Sequence, residues 1–341
     1  MSSSTSNSDL VPLLGDIRKQ RPEAARFARL LLLFLALLFA VDRLFGFTLE
    51  RGLERYFGLD SPAQVLCIGH SHTVLGIDKT GLEDEVGVPV AKYARQGANA
   101  ENRLVMLRHY LERQPGSVKI MVYDVDAHTF TSAGLSANSH RLFYPFLSSP
   151  AVRGYVSQSA ASPLECGLRR LVVASRFSEV TLALSARGWL RKWTNFKVGS
   201  VDVERLQKQI AAGDIRPISF DEDAIRVFEE TLREAQSHDI HVVLTLIPTL
   251  DILNDAQPEA YAKAVRMFGD YAADNPHVTF LDYNPGLSHR HELFYDAIHM
   301  NPAGQRQVTE RLGRDLALIL ADSDGQAAKG ALSQRTLAGP E

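Results

Sequence analysis

Hydrophobic positions fall into three regimes along the chain. Leu30–Val41 ("LLLLFLALLFAV") is apolar on every side. From Val65 onward, short apolar or β-branched runs alternate with amphipathic stretches. Beyond residue 320 the chain turns small and polar. The short runs are "VLCIG", "VGVPVAKYAR", "VKIMVYDVD", "IHVVLTLIP" and "HVTFLDY", each patterned as a strand buried on both faces. Between them, "NAENRLVMLRHYLERQ" sets Leu104, Leu107 and Leu111 on one helical face. "DEDAIRVFEETLREAQSH", "PEAYAKAVRMFGDYAADN" and "NPAGQRQVTERLGRDLALILA" repeat that period. The alternation predicts an α/β fold: an open parallel sheet of about five strands, with ligands at the strands' C-terminal ends. One connection, about residues 127–219, is too long for a plain crossover. It contains the helical pattern "LRRLVVASRFSEVTLALSARGWLRKW" and reads as an inserted lid. Tyr144, Trp189, Trp193 and Phe196 in it suit either a sugar-binding aromatic surface or packing of the lid itself.

The uniform run changes the domain picture. Twelve helical residues rise about 18 Å, short of a ~30 Å hydrocarbon core. Extension over Phe27–Phe47 reaches spanning length, with Arg29 able to snorkel and Asp42–Arg43 able to pair or sit near headgroups. Residues 1–26 are basic towards their end and read as a cytoplasmic tail; 27–47 as an uncleaved transmembrane signal anchor; 48–62 as neck and linker; 63–320 as the α/β domain; 321–341 as a disordered tail. A cleaved signal peptide is disfavoured because no small-x-small site follows the run. A buried soluble helix is disfavoured because the run is apolar all round. The positive-inside rule exports the domain. A net charge of −3 over 341 residues offers no basic face for nucleic acid. Cys67 and Cys166 are too few for a paired-cysteine zinc site; buried free thiols are the default reading, with a bridge as the alternative.

Candidate chemistry sits at the two ends of the domain. Ser71, in "IGHSHT", directly follows the first strand. A serine hydroxyl needs a base to become a nucleophile. "DAIHMNPAG" places Asp296 three residues before His299, a spacing that lets the carboxylate hold one imidazole nitrogen and leave the other as base. In a parallel sheet both loops open on the same edge.

Together these segments resemble the SGNH/GDSL hydrolase superfamily, whose fold is a flavodoxin-like open parallel sheet. "IGHSHT" is similar to its first block, "RQGANAEN" to its glycine block and "DAIHMNPAG" to its last. The resemblance implies a Ser71–His299–Asp296 triad and an oxyanion hole from the Ser71 and Gly97 N–H groups; Asn99 or Asn102 is a candidate to replace the Asn that the family's third block supplies. His70, His72, Trp189 and Trp193 are candidate substrate contacts, and no metal or other cofactor is expected. With the N-terminal anchor, the chain resembles more closely the membrane-tethered bacterial branch that includes alginate O-acetylation proteins and the D-alanylation protein DltD. That branch implies a single-pass inner-membrane protein with an extracytoplasmic domain. It also implies O-acyl transfer or hydrolysis on a cell-envelope or secreted polysaccharide, beside a membrane-bound O-acyltransferase.

Two features depart from the pattern. The loop after the third strand reads "YDVDAHTF", with Asp124, Asp126 and His128 where the superfamily supplies an oxyanion-binding Asn. His70 stands where an Asp usually precedes the nucleophile. A non-catalytic polysaccharide-binding or scaffold protein is therefore the competing expectation.

Overall fold

The structure, a computed structural model, describes residues 11–132, 138–159 and 162–337, with side chains described from residue 24 to 321 except at 163. It opens with one long helix, α1 (Val11–Phe57). The domain follows as β1 (Val65–Gly69), α2 (Ser71–Gly76), α3 (Lys79–Val86), β2 (Val90–Ala94), α4 (Ala100–Arg113) and β3 (Ile120–Val125). The insertion holds α5 (Pro150–Ser159), α6 (Pro163–Leu171), α7 (Glu179–Trp189) and α8 (Val203–Ala211). The chain then returns through α9 (Glu222–Ser237), β4 (His241–Leu246), α10 (Asp251–Asn254), α11 (Pro258–Asp274), β5 (Val278–Asp282), α12 (Asn284–Leu287) and α13 (Pro302–Leu337).

All five strands pair in parallel in the order β2-β1-β3-β4-β5, the flavodoxin-like order. Successive side chains of a strand point to opposite faces, so each strand feeds two cores. Leu66, Ile68, Tyr93, Met121, Tyr123 and Leu244 join one core with Phe57, Tyr110 and Phe228. Val65, Cys67, Val122 and Val243 join the other with Phe294, Val308 and Leu312. Helix starts are set by side-chain caps: Asp78 for α3, Asn99 for α4, Ser178 for α7 and Asp221 for α9. The strand order reverses between β1 and β3, and that switch point positions the site.

Helix α1 contains a stretch, Ala24–Phe57, long and apolar enough to cross a membrane. Phe27–Val41 is exposed along its length, so this is not a core helix of the domain. The segment 48–62, expected as a linker, is part of the core instead. Leu53, Phe57 and Leu59 are fully buried, and the Phe57 ring lies 5.0 Å from that of Tyr93 on β2. The reason is the continuation of the apolar stripe past the membrane-length run. The tail expected to be disordered from 321 instead continues α13 to Leu337, its alanines, lysine and glutamines suiting a helix; residues 338–341 lie outside the described residues, as do 1–10 of the basic tail. Cys67 and Cys166 are both free, Cys67 buried in the sheet.

Helix α7 of the insertion packs on α1 instead of lying over the strand ends. A Cβ on Gly188 would fall 1.8 Å from the Gly52 carbonyl oxygen, so the two helices touch backbone to backbone. Trp189 Nε1 donates to the Thr48 carbonyl (3.0 Å) and Trp193 Nε1 to that of Arg55 (3.3 Å). The Arg55 guanidinium covers the Trp189 ring at 4.0 Å. Replacing Gly188 by Val should therefore destabilise the detergent-solubilised chain by about 1–3 kcal/mol through overpacking. Gly154→Ala, where a Cβ meets nothing within 4 Å, should leave the thermal unfolding midpoint unchanged or slightly raised.

Candidate active site

β1 ends at Gly69, where a Cβ would lie 1.8 Å from Thr73 Oγ1 and 2.7 Å from Asp124 Cβ. Glycine thus lets the chain turn tightly from β1 into α2 while Asp124 of β3 closes underneath. Ser71 opens α2, in the first turn, where a backbone N–H has no intrahelical acceptor. The other end of this short helix is held by buried Lys92, whose ammonium donates to the carbonyls of Ile77 (2.7 Å) and Val74 (3.3 Å).

His70 joins the first and third strands. Its Nδ1 lies 2.9 Å from Asp124 Oδ2 and its Nε2 2.9 Å from Asp126 Oδ2. Asp124 Oδ2 also receives the Thr73 hydroxyl (2.9 Å) and the Thr73 N–H (3.1 Å). Asp126 Oδ1 receives the His128 N–H at 2.9 Å. Burial works against charging His70, but the two carboxylates override it and push the imidazole up to about 9. Burial likewise opposes ionising Asp124, yet the facing His70 draws its carboxyl down to about 2; Asp126 is lowered well below the carboxylate range by the same opposition. The group is an imidazolium held between two carboxylates. The His72 N–H also approaches His70 Nδ1 at 3.2 Å; with the ring charged, that nitrogen is a donor and Asp124 is its partner.

His70 and His72 thus sit among carboxylates that the sequence alone did not bring beside them. Ligand atoms of His70, His72 and Asp124 lie within 4.8 Å of one another, near enough to hold a metal ion. Both His70 nitrogens are already engaged by carboxylates, which fits a shared proton better. His72 is neutral: burial and the His70 charge press its imidazole down to about 4. Its Nδ1 has no hydrogen bond, and its ring stands edge-on to His299, centroids 5.6 Å apart.

Asp296 and His299 come together in the tight loop before α13, which is closed by a bridge between Phe294 and Met300. His299 Nδ1 lies 2.8 Å and 3.0 Å from the two Asp296 oxygens. Oδ1 also accepts the N–H groups of Ile298 (3.0 Å) and His299 (2.9 Å). Burial would raise the Asp296 carboxyl, but the His299 bond and these amides carry it below its ordinary value. His299 Nε2, the nitrogen a base would use, is buried and makes no hydrogen bond, so Ser71 Oγ is not bonded to it here.

A cavity of about 320 Å³ opens over this group. Ser71, His70, His72, Gly97 and Asp126 form its floor; His128, Ile215, Arg216 and Ile218 of the 127–219 connection form one wall; Thr249, Asn254, Gln257 and Ile298 form the others. Gly97 has φ +77°, which only glycine adopts without strain, and no atom lies within 4 Å of where its Cβ would be. Asn99 is not at the cavity: its side chain accepts the Asn102 N–H (2.8 Å) as the cap of α4, with Asn102 reciprocating. Trp189 and Trp193 are also removed from it, because their indole N–H groups are satisfied on α1. Tyr144 is buried with its hydroxyl on Glu165 (2.9 Å), so the four aromatics form no common surface. The His70–Asp124–Asp126 link was missed from sequence, although "YDVD" at a strand end beside "GHS" at its neighbour's was the available signal.

No protein-family model matches the chain, and a search of curated proteins gives no match. Among solved structures it is similar to a candidate acylhydrolase from Bacteroides fragilis, at 12% identity and TM-score 0.39 over 75% of this chain and 86% of that one. It is also similar to a candidate platelet activating factor from Streptococcus pneumonia, at 11% identity and TM-score 0.43 over 85% and 99%. A GDSL-like lipase from Bacteroides thetaiotaomicron matches at 11% identity and TM-score 0.37 over 75% and 88%. At such scores the chemistry rests on the side chains described above.

The ion triad carries a pH signature. A raised His70 value stabilises the fold fully below about pH 6.5, and the contribution is lost as pH rises through about 9. The lowered Asp124 value contributes above the ordinary carboxylate range and is lost as pH falls through about 2. His70→Gln should cost about 3–5 kcal/mol at pH 7. It should also flatten the alkaline limb of stability between pH 7 and 9.5, read by denaturant unfolding at each pH.

Proposed function

We propose that the chain is a serine-dependent acyl-ester enzyme, an O-acyltransferase or esterase. The observation that carries this reading is the Asp296–His299 bond, which leaves Nε2 buried and without a hydrogen bond, while the adjoining Ile298 lines the cavity that Ser71 and Gly97 share. For the triad to act, the Ser71 hydroxyl has to come within hydrogen-bond reach of His299 Nε2. His299 takes the Ser71 proton as Oγ attacks the acyl carbonyl, and Asp296 stabilises the resulting imidazolium. The Ser71 and Gly97 N–H groups receive the oxyanion. Collapse expels the alcohol, protonated by His299, and leaves an acyl-serine. A second hydroxyl or water then attacks the acyl-serine carbonyl, giving its proton to His299, which passes it to Ser71 Oγ as the acyl–Oγ bond breaks and the product leaves.

The further reading is acyl transfer to or from a cell-envelope or secreted polysaccharide outside the cytoplasmic membrane, with the acyl group handed on by a membrane-bound O-acyltransferase. The basic flank before the apolar part of α1 supports the orientation. The cavity volume supports a short acyl ester with part of its alcohol. The paired, ionised Asp126 at the cavity floor, with no Asn donor after β3, favours a second reading: a non-catalytic binding or scaffold protein.

A fluorophosphonate probe separates the two. Wild-type chain should label and Ser71→Ala should not, while His299→Gln should slow labelling by about 10³-fold or more. Folded wild-type protein that takes no Ser71-dependent label would leave only the binding reading. For the acceptor, replacing Ser71 should change the acyl content of the surface polysaccharide of the producing cell.

A further inference from the structure

Helix α6 is amphipathic in the reverse sense to a helix of a soluble domain. Leu164, Leu168 and Leu171, at helical spacing i, i+4 and i+7, are 72%, 54% and 63% exposed, and Val172 follows them outward. Its polar side faces the protein: Glu165 accepts the Tyr144 hydroxyl (2.9 Å) and lies 3.7 Å from Arg169, whose guanidinium covers the Tyr144 ring at 4.9 Å. A domain surrounded by water would turn the leucines inward.

The helix also has a defined place relative to α1. Asp42 accepts the N–H groups of Val173 and Ala174, both at 2.8 Å. Arg43 donates to the carbonyls of Arg170 and Leu171. Gly46 admits Val173, whose Cγ1 lies 2.1 Å from where a Cβ would sit. The end of α6 is thus clamped where Asp42 and Arg43 interrupt the exposed apolar face of α1, which resumes at Leu44, Phe45 and Phe47. The two charged residues that interrupt that run are satisfied by backbone groups of the insertion, which removes much of the cost of placing them at a membrane boundary.

The geometry points to α6 as an interfacial membrane helix, seated in the acyl–headgroup boundary of the same leaflet from which α1 emerges. The occupant of its apolar face is lipid. The uninterrupted apolar run of α1 covers about 18 Å of a ~30 Å hydrocarbon core. The rest of the span, through Leu44, Phe45 and Phe47, has to carry Asp42 and Arg43, and an apolar face beside those two charges lets the foot of the domain sink into the leaflet. Arg170, exposed at the end of α6, is placed for anionic headgroups. The inference rests on the reading of α1 as a membrane anchor.

The test uses the full chain in phosphatidylcholine–phosphatidylglycerol vesicles, in a Cys166→Ser background in which the remaining Cys67 is buried. An environment-sensitive fluorophore is attached through Leu168→Cys, Leu35→Cys in the anchor, or Asp223→Cys on α9. Lipids with a nitroxide near the headgroup or deep in the acyl chain are the quenchers. Leu168 should be quenched about twofold or more by the shallow nitroxide, Leu35 by the deep one and Asp223 by neither. A Leu168 label that is blue-shifted but unquenched means that protein covers the face, and overturns the proposal. A Leu168 label in water while Leu35 is quenched overturns it and leaves the anchor intact. Both labels unquenched removes the anchor reading and the proposal with it.

Discussion

The charged His70, held between Asp124 and Asp126, is the interaction on which the arrangement of the cavity floor depends. Two buried carboxylates emerge from the end of β3 beside the cavity, where under the proposed chemistry negative charge would develop on a reacting oxygen. Left alone, they would oppose it. With an imidazolium between them, the group carries one negative charge instead of two. The same bonds tie the turn after β1 to β3 and fix the start of α2, and with it Ser71. His70 in the place before Ser71 becomes intelligible: the acids are on the neighbouring strand, so the residue joining them is a base.

The fold divides the remaining work. Parallel strands deliver three loops to one edge, carrying Ser71, Gly97 and Asp126. The last strand and the loop before α13 return from the far side with Asp296 and His299. The long connection has two separate duties. Its two ends, at His128 and around Arg216, wall the cavity, while its middle, from α6 to α7, grips α1. The expectation of a single lid merged these duties because sequence shows the length of an insertion without showing which parts turn back.

Sheet composition, strand positions and the Asp296–His299 pair were legible because each rests on local pattern: continuous apolar runs, amphipathic period, and two residues three apart in a turn. What stayed hidden depends on contacts across the chain. Nothing near Asn99 distinguishes an oxyanion donor from a helix cap until Asn102 is seen to reciprocate. Trp189 and Trp193 read as packing aromatics or as part of a sugar platform, and the Thr48 and Arg55 carbonyls decide for packing. The neck was misread because "TLERGLERYF" looks charged and solvated, although Leu53 and Phe57 lie on the one face that meets β2.

Leu53, Phe57 and Leu59 are interior to the domain, so α1 and the α/β core share a single body with no swivel between them. The opening of the cleft therefore keeps a constant bearing and height relative to whatever surrounds the exposed half of α1. Reach becomes a property of the scaffold: whatever enters the cleft must come to it, because the cleft does not swing out to meet it. A protease acting between residues 48 and 62 would not release a free, intact domain; it would cut into the structure that keeps β2 covered.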